Sequence, residues 1–282
     1  MEVAAILVFL LGLSIGSFLN VLVLRHKERS LSGRSECPRC RTRLSWYELI
    51  PLFSFLFQKG KCRSCEASVS LQYPLVELST GLLFVAIFFK KTEMFAVSRL
   101  NDLLAPDLFI SLVVVFAIAS TLIAIFVYDL YNKIIPNSFV FSFIALSAVY
   151  LLYDTLGRVV TPELFLDIGS GFIFFFIFWS LWYFSGGTWM GFGDAKLVLG
   201  IGLFLGFIGG ISALILGFWI GAGVALVLMA ASRLSRHSSI EGDSFYAIGL
   251  KSEIPFGPFL ILGVMIAYFF ELDVLNVSYL LL

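Results

Sequence analysis

Two aspartates and four cysteines are the residues of this sequence whose types and spacing could do chemistry. Asp194 stands in Gly191-Phe192-Gly193-Asp194-Ala195-Lys196-Leu197, where a long apolar, glycine-rich segment begins. Asp129 closes another apolar run, in Tyr128-Asp129-Leu130-Tyr131-Asn132-Lys133-Ile134-Ile135-Pro136-Asn137. An ionised carboxylate in or beside hydrocarbon is costly, so such positions mark proton handling. Two carboxylates brought together from separate helices can share one proton, leaving one as general base toward water and the other as general acid toward a substrate. For Asp194 the local spacing suits a helix N-cap as well as catalysis, and the two roles are compatible. Lys196 either favours the ionised form of Asp194 or anchors a lipid headgroup, and anchoring is the preferred reading because interfacial lysines snorkel.

The cysteines form two pairs, Cys37-Pro38-Arg39-Cys40 and, after 21 intervening residues, Cys62-Arg63-Ser64-Cys65, which use every cysteine of the chain. Two such knuckles can place four thiolates about 2.3 Å from a tetrahedral Zn²⁺, at a separation just beyond the usual ribbon range. Four protein ligands leave no open position, so the zinc would be structural. Two disulfides or free thiols are the alternative. A cytoplasmic location disfavours disulfides, and a segment of about fifty residues needs some staple. His26 could substitute as a ligand but reads better as a solvated juxtamembrane residue.

The elements that must position these groups are membrane helices. The chain has 282 residues, of which 60% are hydrophobic and 13% charged, and it contains 31 Phe. Soluble domains average about 45–50% apolar and about 25% charged. An all-α polytopic membrane protein is therefore expected. The formal net charge is zero, so total charge says nothing about partners and the distribution of charge along the chain says more; nucleic acid is not among the partners expected. Residues 3–24 lack a positive n-region and a small-residue cleavage site, so they are expected to stay as a first transmembrane helix. Residues 25–70 then carry ten of the 19 Lys and Arg against four acidic residues, which places them in the cytoplasm. Gly12 and Gly16 give the first span a small-xxx-small face for close helix packing.

Further spans are expected over 75–89, 108–128, 138–152 and 168–184. The first of these is short and borrows residues from its flanks. Trp179, Trp182 and Trp189 read as an interfacial belt. Residues 195–231 are too long for one span. Division at Gly209-Gly210 returns Arg233 and Arg236 to the cytoplasmic side, with Gly202, Gly206 and Gly210 spaced for close packing along the first half. A final span follows Glu253-Ile254-Pro255-Phe256-Gly257-Pro258, where the prolines mark a helix start or an active-site wall. The sum is about eight transmembrane helices with both termini outside. The expected organisation is a helix over 1–24, a small zinc-ribbon-like cytoplasmic segment over 25–74, and a seven-helix membrane domain over 75–282.

In these motifs the chain resembles the type IV prepilin peptidases, bacterial inner-membrane aspartic proteases of the GxGD class. The resemblance rests on Gly16-Ser17-Phe18-Leu19-Asn20-Val21, both cysteine pairs, Tyr73-Pro74-Leu75-Val76-Glu77 and Asp129 with Ile135-Pro136-Asn137. It also takes in the Gly191 to Leu197 motif and Ile254-Pro255-Phe256-Gly257-Pro258-Phe259-Leu260. It implies that Asp129 and Asp194 are the catalytic pair, facing the cytoplasm, and that the substrates are prepilins and pseudopilins of type IV pilus or type II secretion systems. The short basic leader would be cut after a glycine. Members with the four-cysteine segment typically go on to N-methylate the new terminus with S-adenosylmethionine, whose site cannot be read here. A basic leader calls for acidic partners, and Glu48, Glu77, Glu241, Asp243 and Glu253 are the candidates. The basic residues of the cytoplasmic segment are expected to hold it against anionic lipid. Competing readings are a GxGD intramembrane protease outside the pilin pathway, a proton- or ion-coupled transporter using the two aspartates, and a membrane scaffold carrying a zinc ribbon.

Overall fold

The computed structural model describes residues 1–26, 33–95, 97, 105–155, 162–238 and 255–275. Among them the regular structure is helical, apart from two isolated antiparallel β-bridges, Glu36 with Arg43 and Lys61 with Ser68. Six helices are long and apolar enough to cross a membrane, and a shorter apolar helix follows them. The fold divides into two compact units, residues 1–124 and 125–282.

In the first unit, α1 (Glu2–Arg25) packs along α3 (Gln72–Met94). A Cβ added at Gly12 would lie 2.7 Å from the Gly81 Cα, and one at Gly16 would lie 2.7 Å from the Glu77 Cα. Both obstacles are backbone, so only glycine permits this approach, and dispersion between the close backbones holds the pair. Buried Asn20 of α1 donates from Nδ2 to the Tyr73 carbonyl at 3.2 Å, fixing α1 to the start of α3. As expected, α3 takes residues from both flanks of the apolar run. The early part of α4 (Pro106–Asn132) adds Phe116, stacked on Phe84 at 4.2 Å between centroids.

Between α1 and α3 lie the two cysteine knuckles and, between the knuckles, a 3-10 turn (Trp46–Leu49) and a short helix α2 (Phe53–Phe57). The knuckles are built alike. Cys37 N–H bonds the Thr42 carbonyl at 3.0 Å and Cys62 N–H bonds the Ala67 carbonyl at 2.8 Å. The residue after each second cysteine, Arg41 or Glu66, has a positive φ of 57° or 56°.

The second unit contains the end of α4, α5 (Asn137–Thr155), α6 (Pro162–Ser185), α7 (Phe192–Ser238) and α8 (Gly257–Phe270). The 47 residues of α7 are two arms, because Gly206 has φ 71° and ψ −169°. Contacts with α6 show the chain doubling back. Along the first arm Phe192 packs on Trp182 and Gly202 on Gly171. Along the second, Phe207 stacks on Phe174 and Phe218 meets Phe178. The first arm thus descends α6 and the second climbs it again.

The reversal falls three residues before the Gly209-Gly210 division expected from sequence, for two physical reasons. The backbone at Gly206 lies in a region essentially reserved for glycine. In addition, the Asp167 carboxylate accepts the Phe207 N–H at 2.8 Å, replacing a helical bond lost at the break. Asp167 itself belongs to α6, not to a loop. Gly210 lies within the second arm against Phe174. Counting both arms of α7 and α8 and leaving out the five-residue α2, the described residues hold eight apolar helical segments, in agreement with the expected number.

α8 runs antiparallel to the second arm: Leu260 meets Gly217, Gly263 meets Ala213, and Tyr268 stacks on Phe204 of the first arm at 5.3 Å. The side chains of 232–238 and all of 239–254 lie outside the described residues. These include Arg233, Arg236, His237, Glu241, Asp243 and Glu253.

Candidate active site

Asp129 is in the last turn of α4, and its carbonyl accepts the Lys133 N–H at 2.8 Å as the helix ends. Lys133 has φ 53°, the left-handed conformation that turns the chain toward Ile135 and Pro136. Ile135 is thereby tucked inward and buried, and α5 begins at Asn137. The Asp129 side chain is 4% exposed.

Asp194 is the third residue of the first arm of α7 and is 8% exposed. Its Oδ2 accepts the Gly191 N–H at 3.2 Å, while its own N–H donates to the Gly191 carbonyl at 3.1 Å. This is the acidic half of a capping box, in which the third helical residue reaches back to the residue before the helix. The capping reading and the placement of a buried carboxylate therefore hold together.

A third element completes the arrangement. The backbone of Gly257, the first residue of α8, lies directly against the Asp129 carboxylate. A Cβ at Gly257 would stand 2.6 Å from Asp129 Oδ2 and 3.2 Å from Ile135 Cδ1, and a Cβ at Gly193 would stand 3.0 Å from Ile135 Cβ. Ile135 is thus the wedge shared by Gly193 and Gly257, each lacking the atom that would push it away. The two carboxylates are close enough to interact electrostatically. Close approach at this site comes from Ile135, Gly193 and Gly257 rather than from Gly202, Gly206 and Gly210. Sequence reasoning gave Ile135 no role of its own in the site and offered the run that contains Gly257 as a helix start or an active-site wall. The Pro-Phe-Gly-Pro run signalled a special chain path, but only the fold shows what it approaches.

Lys196 donates to the Asn137 side-chain carbonyl at 2.7 Å, and its Nζ lies 4.5 Å from the centre of the Phe192 ring. It ties the start of α7 to the start of α5. Of the acidic residues considered for leader recognition, Glu48 caps the 3-10 turn by accepting the Ser45 N–H at 2.8 Å. Glu77 is buried and accepts the Leu52 N–H at 2.8 Å.

The cysteines converge in the first unit. Their four sulfurs all lie within 4.8 Å of one another, with Cys37 to Cys65 at 3.9 Å and Cys40 to Cys62 at 4.0 Å. Sulfurs 2.3 Å from a tetrahedral centre would be about 3.8 Å apart, so the set fits Zn²⁺. The Thr42 hydroxyl, 3.3 Å from Cys40 Sγ, together with the Thr42 backbone, draws that thiol down to about 6. At Cys65 the Ala67 backbone favours the thiolate, but burial and the neighbouring sulfurs outweigh it and push the group up to about 11. His26 is not part of this cluster.

The fold and the site define a multi-pass, all-helical membrane protein in which separate helices hold two buried carboxylates beside each other, with a four-cysteine cluster near its start. The chain belongs to the type IV leader peptidase family, whose sequence pattern matches residues 108–226, and the bacterial peptidase A24 N-terminal domain matches residues 10–91. It is therefore a peptidase by family. It is 30% identical to the prepilin leader peptidase/N-methyltransferase of Bacillus subtilis over 266 residues, covering 94% of this chain and 93% of that protein. The protein of the same name from Aeromonas salmonicida is 29% identical over 294 residues, covering 93% and 89% of the two chains. A shorter match, 46% over 113 residues, joins 38% of this chain to 34% of the Myxococcus xanthus protein of that name. No solved structure matches.

Proposed function

We propose that this chain is a membrane aspartic endopeptidase that removes the short basic leader of type IV prepilins and pseudopilins. Cleavage falls after glycine at the cytoplasmic face of the inner membrane, with both chain termini outside. The observation that carries this reading is the convergence of Asp129 and Asp194 from two helix ends, the Asp194 carboxylate accepting the Gly191 N–H and the Asp129 carboxylate set against the Gly257 backbone. That arrangement holds the pair at fixed orientation, as acid–base catalysis requires.

In the mechanism, one ionised aspartate takes a proton from water while its protonated partner donates to the scissile carbonyl oxygen. The hydroxide so generated adds to the carbonyl carbon, giving a tetrahedral diol intermediate. The C–N bond then breaks, its electrons leaving with the amine, which receives a proton from the pair. The two residues exchange roles over the cycle. The Gly191 N–H fixes Oδ2 of Asp194 and the Gly257 backbone packs against Oδ2 of Asp129, leaving the other oxygens for water and substrate. Zn²⁺, when held by Cys37, Cys40, Cys62 and Cys65, would brace the cytoplasmic segment and take no part in hydrolysis.

The names of the relatives extend the proposal to N-methylation of the newly exposed terminus, with S-adenosylmethionine as donor. The described residues offer no side-chain set that identifies a seat for the donor.

The test is cleavage of a prepilin-type substrate by the purified protein, by Asp129→Asn and by Asp194→Asn, with folding followed in detergent. Methyl transfer to a pre-cleaved substrate is measured in the same preparations. Both variants are expected to lose on the order of 10³-fold in cleavage while keeping methyl transfer. Full cleavage by either folded variant would remove that aspartate from the mechanism.

A further inference from the structure

The cytoplasmic segment carries an apolar surface that the cysteine cluster does not use. Between the knuckles, Trp46, Leu49, Phe53, Leu56 and Phe57 are all exposed, and Trp46, Leu56 and Phe57 reach 77%, 69% and 83%. Apolar side chains at this density along one short stretch mark an interaction surface. Exposed Lys59, Lys61 and Arg63 follow directly.

Two features decide what lies against that surface. The segment leaves α1 and re-joins α3, both helices long and apolar enough to cross a membrane, so it is tethered to the bilayer at each end. More specifically, the residue before α2 is fastened to the side of α3. The Leu52 N–H donates to Glu77 Oε2 at 2.8 Å, and Leu52 holds φ 60°. Glu77 lies five residues inside α3, a rise of about 8 Å. Its contact holds the start of α2 beside the first turns of a helix long and apolar enough to span a membrane.

We propose that the Trp46–Phe57 stretch is an in-plane membrane foot: its aromatic and leucine side chains enter the interfacial layer of the leaflet from which α3 departs, and Lys59, Lys61 and Arg63 face anionic headgroups. The occupant of the exposed apolar surface is lipid. Trp and Phe prefer this layer, and neighbouring basic residues add attraction to acidic lipid. The inference rests on α1 and α3 spanning the membrane and is independent of the peptidase reading.

The test uses the full-length protein labelled with fluorotryptophan and reconstituted in lipid nanodiscs, with the Trp46 fluorine resonance assigned by its loss in Trp46→Phe. Nitroxide-bearing lipid is expected to abolish the Trp46 line, and a water-soluble gadolinium chelate to leave it. The nitroxide effect should be stronger in discs containing phosphatidylglycerol than in phosphatidylcholine alone. Loss of the line to gadolinium with none to nitroxide would overturn the proposal, because the surface would be in water. Protection from both reagents would also overturn it, because protein would cover the surface. Equal nitroxide effects in the two lipids would overturn the role given to the basic residues. Cleavage does not enter the readout, so failure here and failure of the peptidase reading are separable.

Discussion

The backbone of Gly257 lies directly against the carboxylate of Asp129, although the residues lie on different helices and 128 positions apart in the chain. A Cβ on Gly257 would meet Asp129 Oδ2 at 2.6 Å, so the contact depends on the absence of that atom. Gly257→Ala is expected to displace the carboxylate while leaving α8 intact, since alanine suits a helix better than glycine. A displacement of about 1 Å at a reacting group costs on the order of 10²-fold in rate. Steady-state cleavage should show that loss in kcat with little change in KM, and thermal unfolding in detergent should stay close to that of the parent. A full-rate Gly257→Ala enzyme would show that the Gly257 contact does not position Asp129.

The reversal of α7 makes a prediction about stability. Gly206→Ala places a side chain at φ 71° and against the Asp167 carboxylate, so a loss of about 1–3 kcal/mol is expected. Asp167→Ala should destabilise in the same range as a lost helix cap, about 1 kcal/mol, because it strands the Phe207 N–H. Asp167→Asn keeps an acceptor and should cost less. Denaturation in mixed micelles would rank the three variants, and an unchanged Gly206→Ala protein would contradict the doubled-back path.

In the first unit, Gly16→Val should force α1 from α3, because the added atoms meet the Glu77 backbone at 2.7 Å and cannot be relieved by a rotamer change. Overpacking of this kind costs about 1–3 kcal/mol. The same change at Gly223, whose surroundings are open, serves as the control. Thermal unfolding of both variants in one detergent checks the difference.

Removal of zinc is expected to unravel the two knuckles while the membrane helices persist. A chelator, or Cys62→Ser, should open the segment between α1 and α3 to proteolysis, and stoichiometric zinc should restore resistance to the chelated protein but not to the variant. Small metal-stapled segments fold with their ion, so partial protection without zinc is not expected. Metal analysis of the purified protein, together with the protease pattern, tests both statements. Persistent resistance after complete metal removal would make the cluster dispensable for the fold.

Much of this arrangement was legible in the sequence because its signals are local. Long apolar runs must become helices where lipid cannot hydrogen-bond a backbone. Cys37, Cys40, Cys62 and Cys65 announce a four-ligand cluster by spacing alone, and Asp129 and Asp194 stand out as carboxylates at the ends of apolar runs. Gly12 and Gly16 likewise declare a close helix contact, though not that its partner is Gly81 and Glu77 of α3. What only the tertiary structure decided depends on groups far apart in the chain. The helix reversal falls at Gly206 rather than Gly209-Gly210 because Asp167, on another helix, takes the freed Phe207 N–H. Asp129 is held by Gly257, and Ile135 fits between Gly193 and Gly257, because three helix ends meet at one place. Periodicity and composition describe each helix against its solvent. The atoms that helices from distant parts of the chain must leave out to approach one another are set by packing alone.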